Sequence, residues 1–169
     1  VGDGAVGLSA VLAASQLGAV TIIAMSRHAD RQAIATAFGA THIVAERGDA
    51  GLAAVRDLTD GIGADCVIEC VGTEDARATA VAACRPGGMI GLLGVPHGEL
   101  PVDQMFWDNK GFRGGVAPVR AYLPRLLDLV WKREIEPGRV FDLELPLERV
   151  AEAYEAMDDR RAIKVLLRP

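Results

Sequence analysis

Glycines at positions 2, 4 and 7, in Gly2-Asp3-Gly4-Ala5-Val6-Gly7, constrain this chain more than any other feature. Spaced in this way, they suit a tight turn from a parallel strand into a helix. The first glycine makes the turn, the second lets backbone approach a pyrophosphate, and the third lets the helix pack on the strand. An anion at that point meets free amides at the positive end of the helix. A strand is expected immediately ahead of such a loop, and only Val1 stands there. The chain is therefore read as the later half of a longer enzyme. The spacing alone leaves the ligand open, because methyltransferases, ion-channel regulatory domains and non-binding helix turns share it.

Past the loop, helical and strand-like segments alternate regularly. An apolar stripe of Val6, Ala10, Ala13, Ala14 and Leu17 predicts a helix that Gly18 stops. Val20–Met25 reads as a buried strand, Asp30–Phe38 as a helix with Asp30 as its N-cap, and His42–Ala45 as a short strand. Leu52, Val55 and Leu58 space a third helix that closes at Asp60-Gly61. Cys66–Val71 is the next strand, a helix runs from an N-cap at Thr73 to Cys84, and Arg85-Pro86-Gly87-Gly88 breaks it before the strand Met89–Gly94. Right-handed crossovers turn this alternation into an α/β fold, a Rossmann-type doubly wound parallel sheet with helices on both faces. A chain that is half hydrophobic yet only 5% aromatic suits strands buried on both sides by Ala-rich helices.

Beyond Pro96 the rhythm changes. Residues 97–111 read as an irregular loop, Phe112–Val116 as an edge strand and Tyr122–Lys132 as an amphipathic helix. Strand Val140–Leu145, helix Leu147–Met157 and strand Ile163–Leu167 close the chain. The expected division is a dinucleotide-binding domain over 1–139, lacking most of its first strand, and a tail over 140–169.

A net charge of -5 argues against a nucleic-acid surface. No apolar run reaches the roughly 18 residues of a membrane helix and no signal peptide is visible, so a cytoplasmic protein without membrane attachment is expected. Three cysteines, Cys66, Cys70 and Cys84, lack the second close pair a zinc knuckle needs. Cys66, Ile68 and Cys70 share one strand face and read as small core residues of a reduced protein. His28, His42 and His97 lack a second ligand at suitable spacing and read first as surface or structural residues.

The segments Gly63-Ala64-Asp65-Cys66-Val67-Ile68-Glu69-Cys70-Val71-Gly72, Arg85-Pro86-Gly87-Gly88 and Gly91-Leu92-Leu93-Gly94-Val95-Pro96 come after the glycine loop in that order. Together with Leu147-Glu148-Arg149-Val150-Ala151-Glu152-Ala153-Tyr154 and Lys164-Val165-Leu166-Leu167, they resemble the medium-chain dehydrogenase/reductase superfamily. The zinc-dependent alcohol dehydrogenase branch looks closest. The resemblance implies an oxidoreductase moving hydride between NADP(H), or NAD, and a small alcohol or carbonyl substrate. Its zinc ligands and catalytic residues would lie in a preceding domain, so no catalytic or metal-binding residue is assigned to this chain. The alternatives are a zinc-independent quinone or enone reductase of the same superfamily and a nucleotide-sensing module without catalysis. A homodimer or homotetramer through the edge strand near 112–116 is also implied.

Cofactor-binding residues come from the loop and the resemblance. Gly2, Gly4, Ala5, Val6 and Gly7 form the phosphate cradle. NAD enzymes place an acid about 20 residues beyond the loop to hold the ribose hydroxyls. Here that position falls on Ser26, with Arg27 and His28 next in the chain. A serine leaves room, an arginine forks onto phosphate, and the rim is expected to carry no carboxylate, which fits the 2′-phosphate of NADP. A solvated turn with Arg27 on the surface is the competing reading. By resemblance, Cys70, Val71 and Gly72 match the segment passing the ribose; Leu93, Gly94 and Val95 match the stretch facing the nicotinamide amide. Plain strand-end packing suits both segments equally. Phe112 and Arg113 match a further nicotinamide-facing segment, and Lys164 matches a basic residue on the pyrophosphate, where a surface lysine is the alternative.

Overall fold

In the computed structural model, which describes residues 1–169, strands and helices alternate and every strand pair is parallel. The chain divides into two compact units, Val1–Ala117 and Pro118–Pro169. The division falls ahead of the expected boundary at 139/140, because helix Val119–Trp131 groups with the tail.

The first unit begins with helix α1, Ala5–Gln16, then strand β1, Ile23–Met25, helix α2, Ala29–Ala37, and strand β2, His42–Val44. Helix α3, Gly48–Asp57, leads to strand β3, Ala64–Glu69, helix α4, Glu74–Ala83, and strand β4, Cys84–Leu92. Helix α5, Val102–Trp107, and strand β5, Gly111–Gly114, complete it. β1 pairs with β2, and β3, β4 and β5 form a second ladder in that order. Val1 extends this ladder on the edge of β3 turned away from β4. Its amino group donates to the Ile68 carbonyl at 2.6 Å, and its carbonyl accepts the Cys70 amide at 3.0 Å. The expected single sheet is thus present as two hydrogen-bonded parallel ladders.

Local chemistry explains most boundaries. Thr73 caps α4, its Oγ1 accepting the Ala76 amide at 3.3 Å, and Glu74 and Asp75 face the positive end of that helix. Gly18, Gly39 and Gly61 come after helices in the left-handed region, where side chains are disfavoured. The apolar centre joins Met25, Val44, Val55, Val67, Ala80, Val81, Cys84, Ile90 and Met105. Each valine, isoleucine or methionine side chain buried there stabilises the unit by about 1.5–3 kcal/mol.

Several expectations are corrected. His28 occupies the N-cap position of α2, and Asp30 lies exposed in its first turn without a capping bond. The stripe expected on α1 is not its inner face: Gly7 and Leu8 are buried, whereas Val6, Ala13 and Leu17 are exposed. That helix is apolar almost all round, so spacing carries little information. β3 buries Val67 and Glu69, leaving Cys66 exposed; only Cys84 is a buried thiol. β4 begins directly after α4, and the Arg85–Gly88 stretch is a bulge within its pairing to β3. Residues 97–111 contain helix α5.

The second unit holds helix α6, Val119–Trp131, a 3-10 turn at Pro137–Val140, strand β6, Phe141–Pro146, a 3-10 turn at Leu147–Arg149, helix α7, Val150–Asp158, and strand β7, Lys164–Arg168. β6 and β7 pair in parallel, and Leu145, Ala153, Ala156, Ala162 and Val165 pack as its core.

Candidate functional site

The glycine loop is built from two glycines without room and one with room to spare. A Cβ on Gly2 would meet Val71 Cγ2 at 2.8 Å, and its φ of 107° already disfavours a side chain. On Gly7 a Cβ would fall 2.0 Å from the Gly2 carbonyl oxygen. On Gly4 it would meet nothing within 4 Å, and the residue's φ of -76° suits any side chain. The fold itself therefore requires glycine at 2 and 7 but not at 4. Gly4 is also the N-cap of α1 and brings no side chain to the first-turn amides. No side chain caps those donors, which lie at the positive end of a 12-residue helix, an arrangement suited to phosphate oxygens.

Gly2 seats this loop against Cys70 and Val71 at the end of β3. Beyond them, Gly72 and Gly94 bring two strand ends into backbone contact. A Cβ on Gly72 would lie 2.2 Å from the Val95 carbonyl oxygen, and one on Gly94 would lie 2.1 Å from the Gly72 nitrogen. Leu93 and Gly94 donate their amides to the Glu69 carbonyl at 2.8 and 3.1 Å. The structure so brings together Gly2, Gly4, Ala5, Val6, Gly7, Cys70, Val71, Gly72, Leu93, Gly94 and Val95. Val6, Val71, Leu93 and Val95 all remain exposed, which leaves aliphatic surface where a flat ring could rest.

Two buried charges of opposite sign hold the strand ends from beneath. Glu69 is fully buried, and its Oε1 accepts the amides of Val71 at 2.6 Å and Gly72 at 2.8 Å. Arg77, 1% exposed, donates from Nη1 to the Gly72 carbonyl at 2.7 Å and from Nη2 to the His97 and Glu99 carbonyls. Glu69 Oε2 and Arg77 Nε have no hydrogen-bond partner.

At the end of β1 the arrangement differs from the expectation. The rim is not free of carboxylate: the glycine loop itself delivers one, from Asp3. Ser26, fully buried, donates its hydroxyl to Asp3 Oδ2 at 2.8 Å. His28 Nδ1 lies 2.8 Å from the same oxygen, and Arg31 Nη1 lies 3.3 Å from Oδ1. Partial burial pushes the Asp3 pKa up, but the bonds from His28 and Ser26, aided by the Arg31 charge, outweigh it. They hold the group at about 2, below its ordinary 3.8. Ser26 and His28 thus lie at the loop, as the sequence suggests, but their polar atoms are turned to Asp3. Arg27 is exposed and forms no hydrogen bond or ion pair. Phe112 and Arg113 lie on β5, opposite Ile90 and Gly91 of β4, and are exposed. Lys164 opens β7 in the second unit, exposed.

Asp3, Arg31, Glu69 and Arg77 have roles that sequence reasoning misses. A charged residue inside an apolar strand, as at Glu69, is the kind of signal that finds such a group; nothing local marks Asp3 or Arg31. No group of three His, Cys, Asp or Glu side chains is placed to hold a metal ion. No helix is long and apolar enough to cross a membrane.

Residues 5–131 match the family described as zinc-binding dehydrogenase. The chain is 32% identical to zinc-type alcohol dehydrogenase B of Aspergillus flavus over 99% of its own length and 40% of that protein's. It is 33% identical to the NADP-dependent isopropanol dehydrogenase of Thermoanaerobacter brockii, over 100% of its length and 50% of the relative's. Among solved structures it resembles an alcohol dehydrogenase from Thermus sp., with a TM-score of 0.88 and 35% identity, over 98% of this chain and 50% of the other. The chain spans about half the length of the curated relatives it matches, between 40% and 50% in these two.

Proposed function

The chain belongs to the zinc-binding dehydrogenase family, and we propose that it binds a nicotinamide dinucleotide at the glycine loop, NADP(H) in preference to NAD(H). It would serve as the cofactor-holding half of an alcohol dehydrogenase acting on small alcohols or carbonyl compounds. The observation that carries the reading is the contrast among three glycines: two are demanded by the fold, whereas a side chain on Gly4 would meet nothing in it, which leaves open space at the start of α1 for a group approaching from outside. When bound, the nicotinamide would supply the hydride carrier. The chain's own residues bind and orient. Amides of the first turn of α1 take the pyrophosphate, and the exposed Val71, Leu93 and Val95 flank the ring and ribose beyond the strand ends. Zinc ligands and proton-handling groups belong, on this reading, to residues outside this chain.

The preference for NADP(H) is supported by the basic run after β1. Arg27 is an uncommitted guanidinium beside a position where NAD enzymes carry an acid. The carboxylate that reaches Ser26 at the end of β1, Asp3, is already held by Ser26, His28 and Arg31. A relative 33% identical over the whole chain is named as NADP-dependent. The exposed β5 edge, with Phe112 and Arg113, is the surface on which a second copy would pair.

Gly4→Ala tests the reading. Calorimetric titration with NADPH is expected to show at least tenfold weaker binding, about 1.4 kcal/mol. Unfolding stability should stay within about 1 kcal/mol, since the added methyl touches nothing in the fold. Unchanged NADPH affinity would refute the site. Arg27→Ala is expected to weaken NADPH binding by about 1–2 kcal/mol while leaving NADH binding nearly unchanged. Equal losses for both cofactors would remove Arg27 from the 2′-phosphate.

A further inference from the structure

We infer that Asp3, a residue of the glycine loop, sets the balance between the 2′-phosphorylated and the plain dinucleotide at this site. The inference rests on the proposal that a dinucleotide binds here and goes beyond it, because it moves the deciding charge from the end of β1 to the loop. Ser26 Oγ, His28 Nδ1 and Arg31 Nη1 converge on the Asp3 carboxylate at 2.8, 2.8 and 3.3 Å. These are the donors that a phosphate at the end of β1 would itself require. An internal anion therefore already sits among them.

The position is a consequence of the fold. Ligands of doubly wound sheets lie beyond the carboxyl ends of the strands, with the ribose next to the end of the strand after the first helix. Here that strand is β1, and Ser26 comes directly after it. Asp3 reaches the same point from 23 residues away in sequence. A carboxylate there repels a 2′-phosphate and attracts ribose hydroxyls, whatever residue ends the strand. Arg27 and Asp3 then act in opposition: the arginine favours the phosphorylated cofactor, and the aspartate restrains that preference. Asp3 touches no reacting atom in this scheme; it is a specificity-determining and positioning residue.

A purely structural role is the competing explanation, since Asp3 also ties the loop to α2 through Arg31. The two differ in a ratio. Asp3→Asn keeps the shape and removes the charge, while Asp3→Glu keeps the charge. Affinities of the protein and both variants for 2′,5′-ADP and 5′-AMP are measured by calorimetry, with circular dichroism confirming the fold. Asp3→Asn is expected to raise the affinity ratio of 2′,5′-ADP to 5′-AMP about tenfold, and Asp3→Glu to leave it within about threefold. If both ligands weaken together in Asp3→Asn and the ratio stands still, the inference is overturned and the clamp is only structural. Should the unsubstituted protein bind neither fragment nor NADPH nor NADH, the dinucleotide reading falls and Asp3 falls with it. An unmoved ratio in a protein that does bind NADPH overturns only the role of Asp3.

Discussion

Replacing Arg77 by methionine is expected to lower the stability of the protein by about 3–5 kcal/mol. Methionine keeps the apolar stem and roughly the volume but has no donors. The guanidinium it replaces is 1% exposed and reaches three carbonyls, those of Gly72, His97 and Glu99. Hydrogen bonds from a charged donor contribute about 1.5–3 kcal/mol each. The buried Gly72 carbonyl has a second donor, the His97 amide at 3.2 Å, and the other two carbonyls belong to exposed residues, so the sum is moderated but not cancelled. Arg77 forms no ion pair, so its burial is unfavourable in itself and is offset only by these bonds. The measurement is chemical denaturation monitored by circular dichroism. A loss below about 1 kcal/mol would show that backbone bonds alone hold the loops after β3 and β4.

The same arginine shows where a sequence stops being informative. Thr73-Glu74-Asp75 is readable as a helix start because capping is local chemistry, and the Thr73 cap forms. The left-handed glycines after helices and the alternation of strands with helices are legible for the same reason. Arg77 sits three residues into that helix, among alanines, where periodicity assigns a charged residue to solvent. Its partners lie 5, 20 and 22 residues away, so no local window contains the reason for its burial. Cys66 fails differently. Period two correctly puts Cys66 and Ile68 on one face of β3, but the other face, with Asp65, Val67 and Glu69, holds the buried side chains, and Glu69 there is fully buried. Charge alone assigns that glutamate to solvent, whereas two backbone amides inside the fold are its partners.

The candidate site divides along the same line. Its glycine loop is legible because φ and close approach are demands on single residues. Its electrostatics are not, because Asp3 meets Ser26, His28 and Arg31 only after two helices and a strand have folded. In the sequence, the missing acid after β1 argues for a rim without negative charge. The structure supplies the charge from the other side of the site. An absent residue at one position therefore says little until every side chain that can reach the position is known.

Gly7→Ala is expected to cost about 3 kcal/mol in stability and to weaken NADPH binding at least a hundredfold, about 2.7 kcal/mol. Its added Cβ would stand 2.0 Å from the Gly2 oxygen and 2.7 Å from the Gly2 carbonyl carbon. Neither atom is the tip of a flexible side chain, so relief requires α1 and the loop to part by more than about 1 Å, given ordinary carbon–oxygen contact distances. The loop cannot retreat, because Gly2 is itself lodged against Val71 and Cys70. The helix must move instead, and its first-turn amides move with it. Fold and binding are therefore lost together at position 7, whereas binding alone is lost at position 4, three residues away in the same turn. Denaturation and calorimetric titration of the two alanine variants side by side check this. A Gly7→Ala protein that binds NADPH normally would show that the pyrophosphate is not held by the start of α1. A Gly4→Ala protein as unstable as Gly7→Ala would show that the open space over Gly4 serves the fold after all, and that no outside group is needed to explain it.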